Sequence, residues 1–162
     1  MRPVTWYFDF VSPFAYIGLH RLKELPADVS MSRLPVPFLP NAANLQKLYF
    51  SLDEMGVAND LHLGVFAAVQ RDHLLLETED DLVSFALSRD LDPRRFVSVF
   101  GSPTVAQRQK GVNAVVDDLG IAEVPAIVVQ GRYYITPPLA GGVENVVPVL
   151  DQVVDEVRRA WA

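Results

Sequence analysis

Asp9-Phe10-Val11-Ser12-Pro13-Phe14-Ala15-Tyr16 joins an apolar run to an amphipathic one. The apolar run, Val4-Thr5-Trp6-Tyr7-Phe8-Asp9-Phe10, is dense in β-branched and aromatic residues and reads as a buried strand. Alternation puts Trp6, Phe8 and Phe10 on one face and Thr5, Tyr7 and Asp9 on the other. Ser12-Pro13 then opens a helix. Serine is a strong N-cap, and proline at the first helical position gives up no needed hydrogen bond. Ile17, Leu19, Leu22 and Leu25 supply an apolar stripe that stops at Pro26, and 29–36 reads as a second strand ended by Pro35, Pro37 and Pro40. The unit is β-α-β, for which a parallel, right-handed crossover is expected.

From about 41 to 119 the periodicity is helical throughout. Leu45, Leu48, Tyr49, Leu52 and Met55 mark one helix up to Gly56; Leu61, Val65, Phe66 and Val69 mark another. Thr78-Glu79-Asp80-Asp81, Asp92-Pro93 and Ser102-Pro103 are three further helix starts. Strand character then returns at Ala126-Ile127-Val128-Val129. Gln130-Gly131 reads as a two-residue turn into Arg132-Tyr133-Tyr134-Ile135. Val143, Val146, Val147, Leu150, Val153 and Val157 describe an amphipathic last helix. The order β-α-β, helices, β-β-α is that of an α/β thioredoxin-like fold carrying an inserted helical domain. The expected bounds are 1–40 and 120–162 for the thioredoxin-like domain and 41–119 for the insert.

Composition removes several functional classes. The chain has 162 residues and a net charge of −6, with 14 scattered basic residues against 20 acidic ones. A nucleic-acid partner would need clustered Lys and Arg, so none is expected. No apolar run is long enough to span a bilayer, so no membrane association is expected. No signal peptide is visible near Met1, so the expected compartment is the cytoplasm; a trimmed mature domain would instead belong to the periplasm. His20, His62 and His73 lack metal-ligand spacing, and no metal site is expected. There is no cysteine. Dithiol–disulfide exchange therefore cannot run on the residues of this chain.

What remains is a hydroxyl at a helix start. Unpaired N–H groups and partial positive charge there favour an anion. Ser12 reads either as a simple cap or as a donor to a thiolate brought by a ligand. Pro13, Phe14 and Tyr16 would line such a site or only pack. Val124-Pro125 precedes the third strand. It reads either as a plain loop proline or, in this fold, as a cis turn exposing the Val124 backbone to an extended ligand. Asp9 is a carboxylate in an apolar strand, either a hydrogen-bonded structural acid or, with a raised pKa, an acid/base group. Gly141-Gly142 reads either as a small phosphate or carboxylate cradle or as a loop requiring positive φ, and two glycines alone favour the loop.

The chain resembles the DsbA-like thioredoxin superfamily. That superfamily holds thiol oxidases, 2-hydroxychromene-2-carboxylate isomerases and kappa-class glutathione transferases. Tyr7-Phe8-Asp9-Phe10-Val11-Ser12-Pro13-Phe14-Ala15-Tyr16 is similar to the isomerase and kappa motif, in which serine replaces the nucleophilic cysteine. The segment from Leu63-Gly64-Val65-Phe66-Ala67-Ala68-Val69-Gln70 to Val124-Pro125-Ala126-Ile127-Val128-Val129-Gln130-Gly131-Arg132-Tyr133 is more similar to the oxidases. The resemblance implies that Ser12 touches the sulfur of bound glutathione, that Ala15 replaces a second cysteine, and that Val124 and a cis Pro125 clamp the ligand backbone. It implies isomerisation or conjugation of an aromatic substrate as the activity. Thr136-Pro137-Pro138-Leu139-Ala140-Gly141-Gly142 stands where the isomerase branch usually carries an aromatic-Gly-x-Asp-Arg-like segment. Glutathione, a small thiol ligand or an extended peptide is the expected partner, and a homodimer is compatible with it. The alternative is a non-catalytic peptide- or protein-binding module.

Overall fold

In a computed structural model the structure describes residues 2–16 and 28–160. The first strand, β1 (Arg2–Phe8), stops two residues before the apolar run does. The cause is Asp9: its Oδ1 accepts the Val11 N–H at 2.8 Å, and this Asx turn takes the backbone out of the strand. The expected strand through Phe10 is thus shortened by a side chain competing for backbone hydrogen bonds. The apolar stripe at 17–25, the crossover through it, and His20 lie outside the described residues.

The chain divides into two compact units. One comprises Met1–Phe8, Ser12–Leu34 and Glu123–Ala162. Its sheet has the order β2-β1-β3-β4, with β2 (Val29–Pro35), β3 (Ala126–Val129) and β4 (Tyr133–Ile135). β1 and β3 are antiparallel, with Val4 opposite Val129 and Tyr7 opposite Ala126. All four residues of β3 are buried, which is why the strand reads as an unbroken apolar run rather than an alternating one. Trp6 and Phe8, both fully buried, stack at 5.1 Å on one face of β1.

The β3–β4 hairpin differs slightly from expectation. Gln130 and Gly131 do form the turn, at φ 52° and 67°, and the Arg132 N–H donates to the Val129 carbonyl at 3.0 Å. Pairing resumes one residue late, with Val129 opposite Tyr133, so Arg132 stands outside the ladder and the loop spans 130–132. A short helix at Pro137–Ala140 and a 3-10 turn at Val143–Asn145 then lead to the last helix, Val146–Ala160. Gly142 sits at φ 146°, a backbone conformation that a residue carrying a Cβ adopts only under strain.

The other unit comprises Asp9–Val11 and Pro35–Ala122. It carries five helices: α1 (Ala42–Glu54), α2 (Ala58–Gln70), α3 (Glu79–Leu87), α4 (Pro93–Phe100) and α5 (Pro103–Leu119). Asp92 and Ser102 cap α4 and α5 through their side chains, each followed by a first-turn proline. Gln46, almost fully buried on α1, donates to the Pro35 carbonyl at 3.0 Å and to Asn113 Oδ1 at 2.9 Å. The buried amide is thereby satisfied and ties α1 to α5.

α3 starts in a capping box: Thr78 Oγ1 accepts the Asp81 N–H at 3.2 Å, and Asp81 Oδ2 accepts the Thr78 N–H at 2.8 Å. These backbone and side-chain bonds to Thr78 hold the Asp81 carboxyl below its ordinary pKa. Thr78→Ala should lower stability by about 1 kcal/mol, read by urea unfolding. A loss indistinguishable from zero would show that the box contributes nothing.

Candidate functional site

Ser12 begins a helical turn. Its Oγ accepts the Ala15 N–H at 3.2 Å, and its carbonyl accepts the Tyr16 N–H at 3.2 Å. The capping role is therefore realised. Ser12 is only 3% exposed, so whatever else its hydroxyl does, it does from an enclosed position. Accepting one N–H leaves the hydroxyl proton available for donation. Beside it, Pro13 is exposed, Phe14 is 52% exposed, Ala15 is buried and Tyr16 is half-buried.

The Val124–Pro125 bond is cis. Pro125 is buried and Val124 half-buried. The last pair of the β1–β3 ladder is Tyr7 with Ala126, so the proline sits one residue beyond it. β1 thus leaves the sheet toward Ser12 at the same end where the cis bond enters β3. Val124 lies outside the ladder, with its N–H and C=O not used in strand pairing. Tyr7 is buried at this end of the strand, and burial raises its phenol pKa, keeping it neutral.

Asp9 belongs to the helical unit. It is 1% exposed, and its Oδ2 has no hydrogen-bond partner. Burial raises its carboxyl pKa from 3.8 to about 6, against the lowering effect of the Val11 and Leu39 backbone N–H groups. The neighbouring Phe10 carbonyl accepts from Gln70 Nε2 at 2.7 Å, a tie between α2 and the Asp9 turn that sequence reasoning missed. A glutamine at a helix end carries no local signal that it serves a carbonyl sixty residues away.

His62 is buried among the rings of Phe10, Tyr49 and Phe66, at 5.4, 5.8 and 5.2 Å, while His73 is exposed. No cluster of His, Cys, Asp or Glu suited to a metal ion exists among the described residues. No helix among them is long and apolar enough to cross a membrane.

No family model matches the sequence. Individual proteins do. The thiol:disulfide interchange protein DsbA of Pseudomonas aeruginosa is 28% identical over 138 residues, covering 85% of this chain and 65% of that protein. The DsbA of Azotobacter vinelandii is 30% identical over 138 residues, covering 85% and 64%. The chain thus spans just under two thirds of the length of these relatives. The crystal structure of the P. aeruginosa protein superposes with a TM-score of 0.89 at 26% identity, covering 98% of this chain and 85% of that one. Sequence similarity and superposition agree: the chain belongs to the DsbA family of thioredoxin-fold proteins, as a member that contains no cysteine.

Proposed function

We propose that the chain binds a thiol-bearing ligand of peptide character, glutathione or a cysteine-containing segment, without exchanging disulfides with it. The observation that carries this reading is that Val124 lies outside the β1–β3 ladder, two residues beyond the Tyr7–Ala126 pair, at the sheet end from which the chain leads to the buried Ser12. An extended ligand would pair its main chain with Val124. Its sulfur would meet the Ser12 hydroxyl at a helix N-terminus, where a thiolate is favoured. Any chemistry would then belong to the ligand's thiolate, with the protein supplying orientation, including the isomerisation or conjugation implied by the resemblance. The exposed Phe14 favours the peptide form of the same reading, since it offers an aromatic contact to a neighbouring ligand residue.

Calorimetry with glutathione and with a short cysteine peptide tests this, together with amide shifts at residues 12–16 and 124. Binding with shifts at both segments is expected. Ser12→Ala should weaken the thiol ligand by about 0.5–1.5 kcal/mol, one neutral hydrogen bond. It should also cost about 1 kcal/mol of stability through the lost cap. Dissociation constants weaker than about 10 mM for both ligands would overturn the proposal. Peptide binding indifferent to both sulfur and Ser12→Ala would leave only a non-catalytic peptide module.

A further inference from the structure

Leu74-Leu75-Leu76 links α2 to α3, and the three residues have different fates. Leu76 is 5% exposed, Leu74 49% and Leu75 71%. This exposure is built in rather than slack. The Leu74 N–H donates to the Ala68 carbonyl at 2.9 Å and the Asp72 N–H to the Ala67 carbonyl at 2.9 Å. At the far end Asn44 Nδ2 bonds the Glu77 carbonyl, and Asn41 Nδ2 bonds Glu77 Oε1 at 2.8 Å. A pinned loop that presents two large apolar side chains to water carries a hydrophobic cost with no internal return.

The leucine ridge is the shared wall of two hollows. One, about 230 Å³, is lined further by Val11, Pro40, Leu45 and Val69. The other, about 240 Å³, is lined further by Ser84, Phe85 and Ser88. Each is smaller than the ~300–1,000 Å³ of a small-molecule or cofactor site and suits a single bulky side chain. The rim is acidic: Glu77, Glu79 and Asp80 are all exposed beside the ridge, and Asp81 lines the second hollow. The nearby cations do not balance it. Arg71 is paired with Asp72 at 2.7 Å, and Arg89, over the Phe85 ring, keeps its charge but sets one guanidinium against four carboxylates.

We propose that this ridge of the helical unit is a docking site for a basic peptide segment, or the same segment of a partner protein, with apolar anchors flanked by Lys or Arg. Apolar side chains enter the hollows on either side of Leu74 and Leu75, and the cationic neighbours meet the acidic rim. Anchors in pockets ringed by charge are the usual economy of small interfaces. The net charge of −6 steers a basic partner toward the chain.

The probe is a short synthetic peptide of leucine and lysine without cysteine, titrated against the whole chain with methyl shifts recorded. Saturable binding is expected, with shifts confined to Val11, Leu45, Val69, Leu74, Leu75 and Leu76. The same peptide with glutamate for lysine, or serine for leucine, should bind about tenfold more weakly or worse. The double variant Leu74→Ser/Leu75→Ser should lose about tenfold or more while unfolding as the parent does, because both side chains are already exposed. Glu77→Gln, which keeps an acceptor for Asn41, should lose about two- to fivefold. Equal binding of the acidic peptide would overturn the proposal. So would affinity unchanged in the leucine double variant, or binding of the lysine peptide weaker than about 1 mM. Self-association in sedimentation that the double variant abolishes would also overturn it, since the occupant would then be a second copy of the chain.

Discussion

Phe10→Ala is expected to destabilise the protein by about 3–5 kcal/mol. The ring is 1% exposed and packs against Phe66 at 4.7 Å, His62 at 5.4 Å and Tyr49 at 6.4 Å. These three rings come from α1 and α2, so one side chain after the Asp9 turn fills the space where two helices meet. Truncation removes its transfer free energy and leaves a cavity that rigid aromatic neighbours cannot close. Against a typical total of about 5–15 kcal/mol, the loss is large enough to leave the helical unit marginal. Denaturant unfolding followed by circular dichroism gives the number. Phe10→Leu, which retains most of the apolar volume, should lose clearly less. A cost below about 1 kcal/mol for Phe10→Ala would mean that this cluster is not a core.

Asp9→Asn is expected to change the pH dependence of stability. In the unfolded chain the carboxyl ionises near 3.8; in the fold, burial raises it to about 6. Below about pH 3.8 it is neutral in both states and carries no ionic penalty. Between about 3.8 and 6 the native state holds a proton that the unfolded state has lost, so stability falls as pH rises. Above about 6 the carboxylate is ionised in both states and the penalty is complete, about 3 kcal/mol for the gap between the two values. Asparagine keeps an oxygen for the Val11 N–H and cannot ionise. The stability difference between variant and parent should therefore shift by about 3 kcal/mol in favour of asparagine between pH ~3.5 and ~8. A difference independent of pH would show that Asp9 ionises normally.

Much of the fold was legible because its signals are local. Ser12-Pro13, Thr78 with Asp81, Asp92-Pro93 and Ser102-Pro103 state helix starts within a few residues, and each is realised by a side-chain bond to a nearby N–H. The Gln130-Gly131 turn was readable for the same reason, although the register across it depends on β3 meeting β4. The strand through Phe10 was misread because its pattern is apolar to the end. The interruption comes from one carboxylate choosing the Val11 N–H over the ladder. The candidate site was only half readable. Ser12 announces itself as a cap, whereas the Gln70 tie to Phe10 joins residues whose sequence neighbourhoods say nothing of each other.

By itself the sequence determined where helices begin, that 126–129 is an apolar strand, and that no thiol chemistry belongs to this chain. All three follow from residue type and short spacing. Only the tertiary structure decided that Val124–Pro125 is cis beside the end of β1, that Asp9 lacks a partner for Oδ2, and that of three consecutive leucines one is buried and two face water. These depend on which distant segments close around a residue, and identical side chains in a row carry no mark of that until the chain has packed.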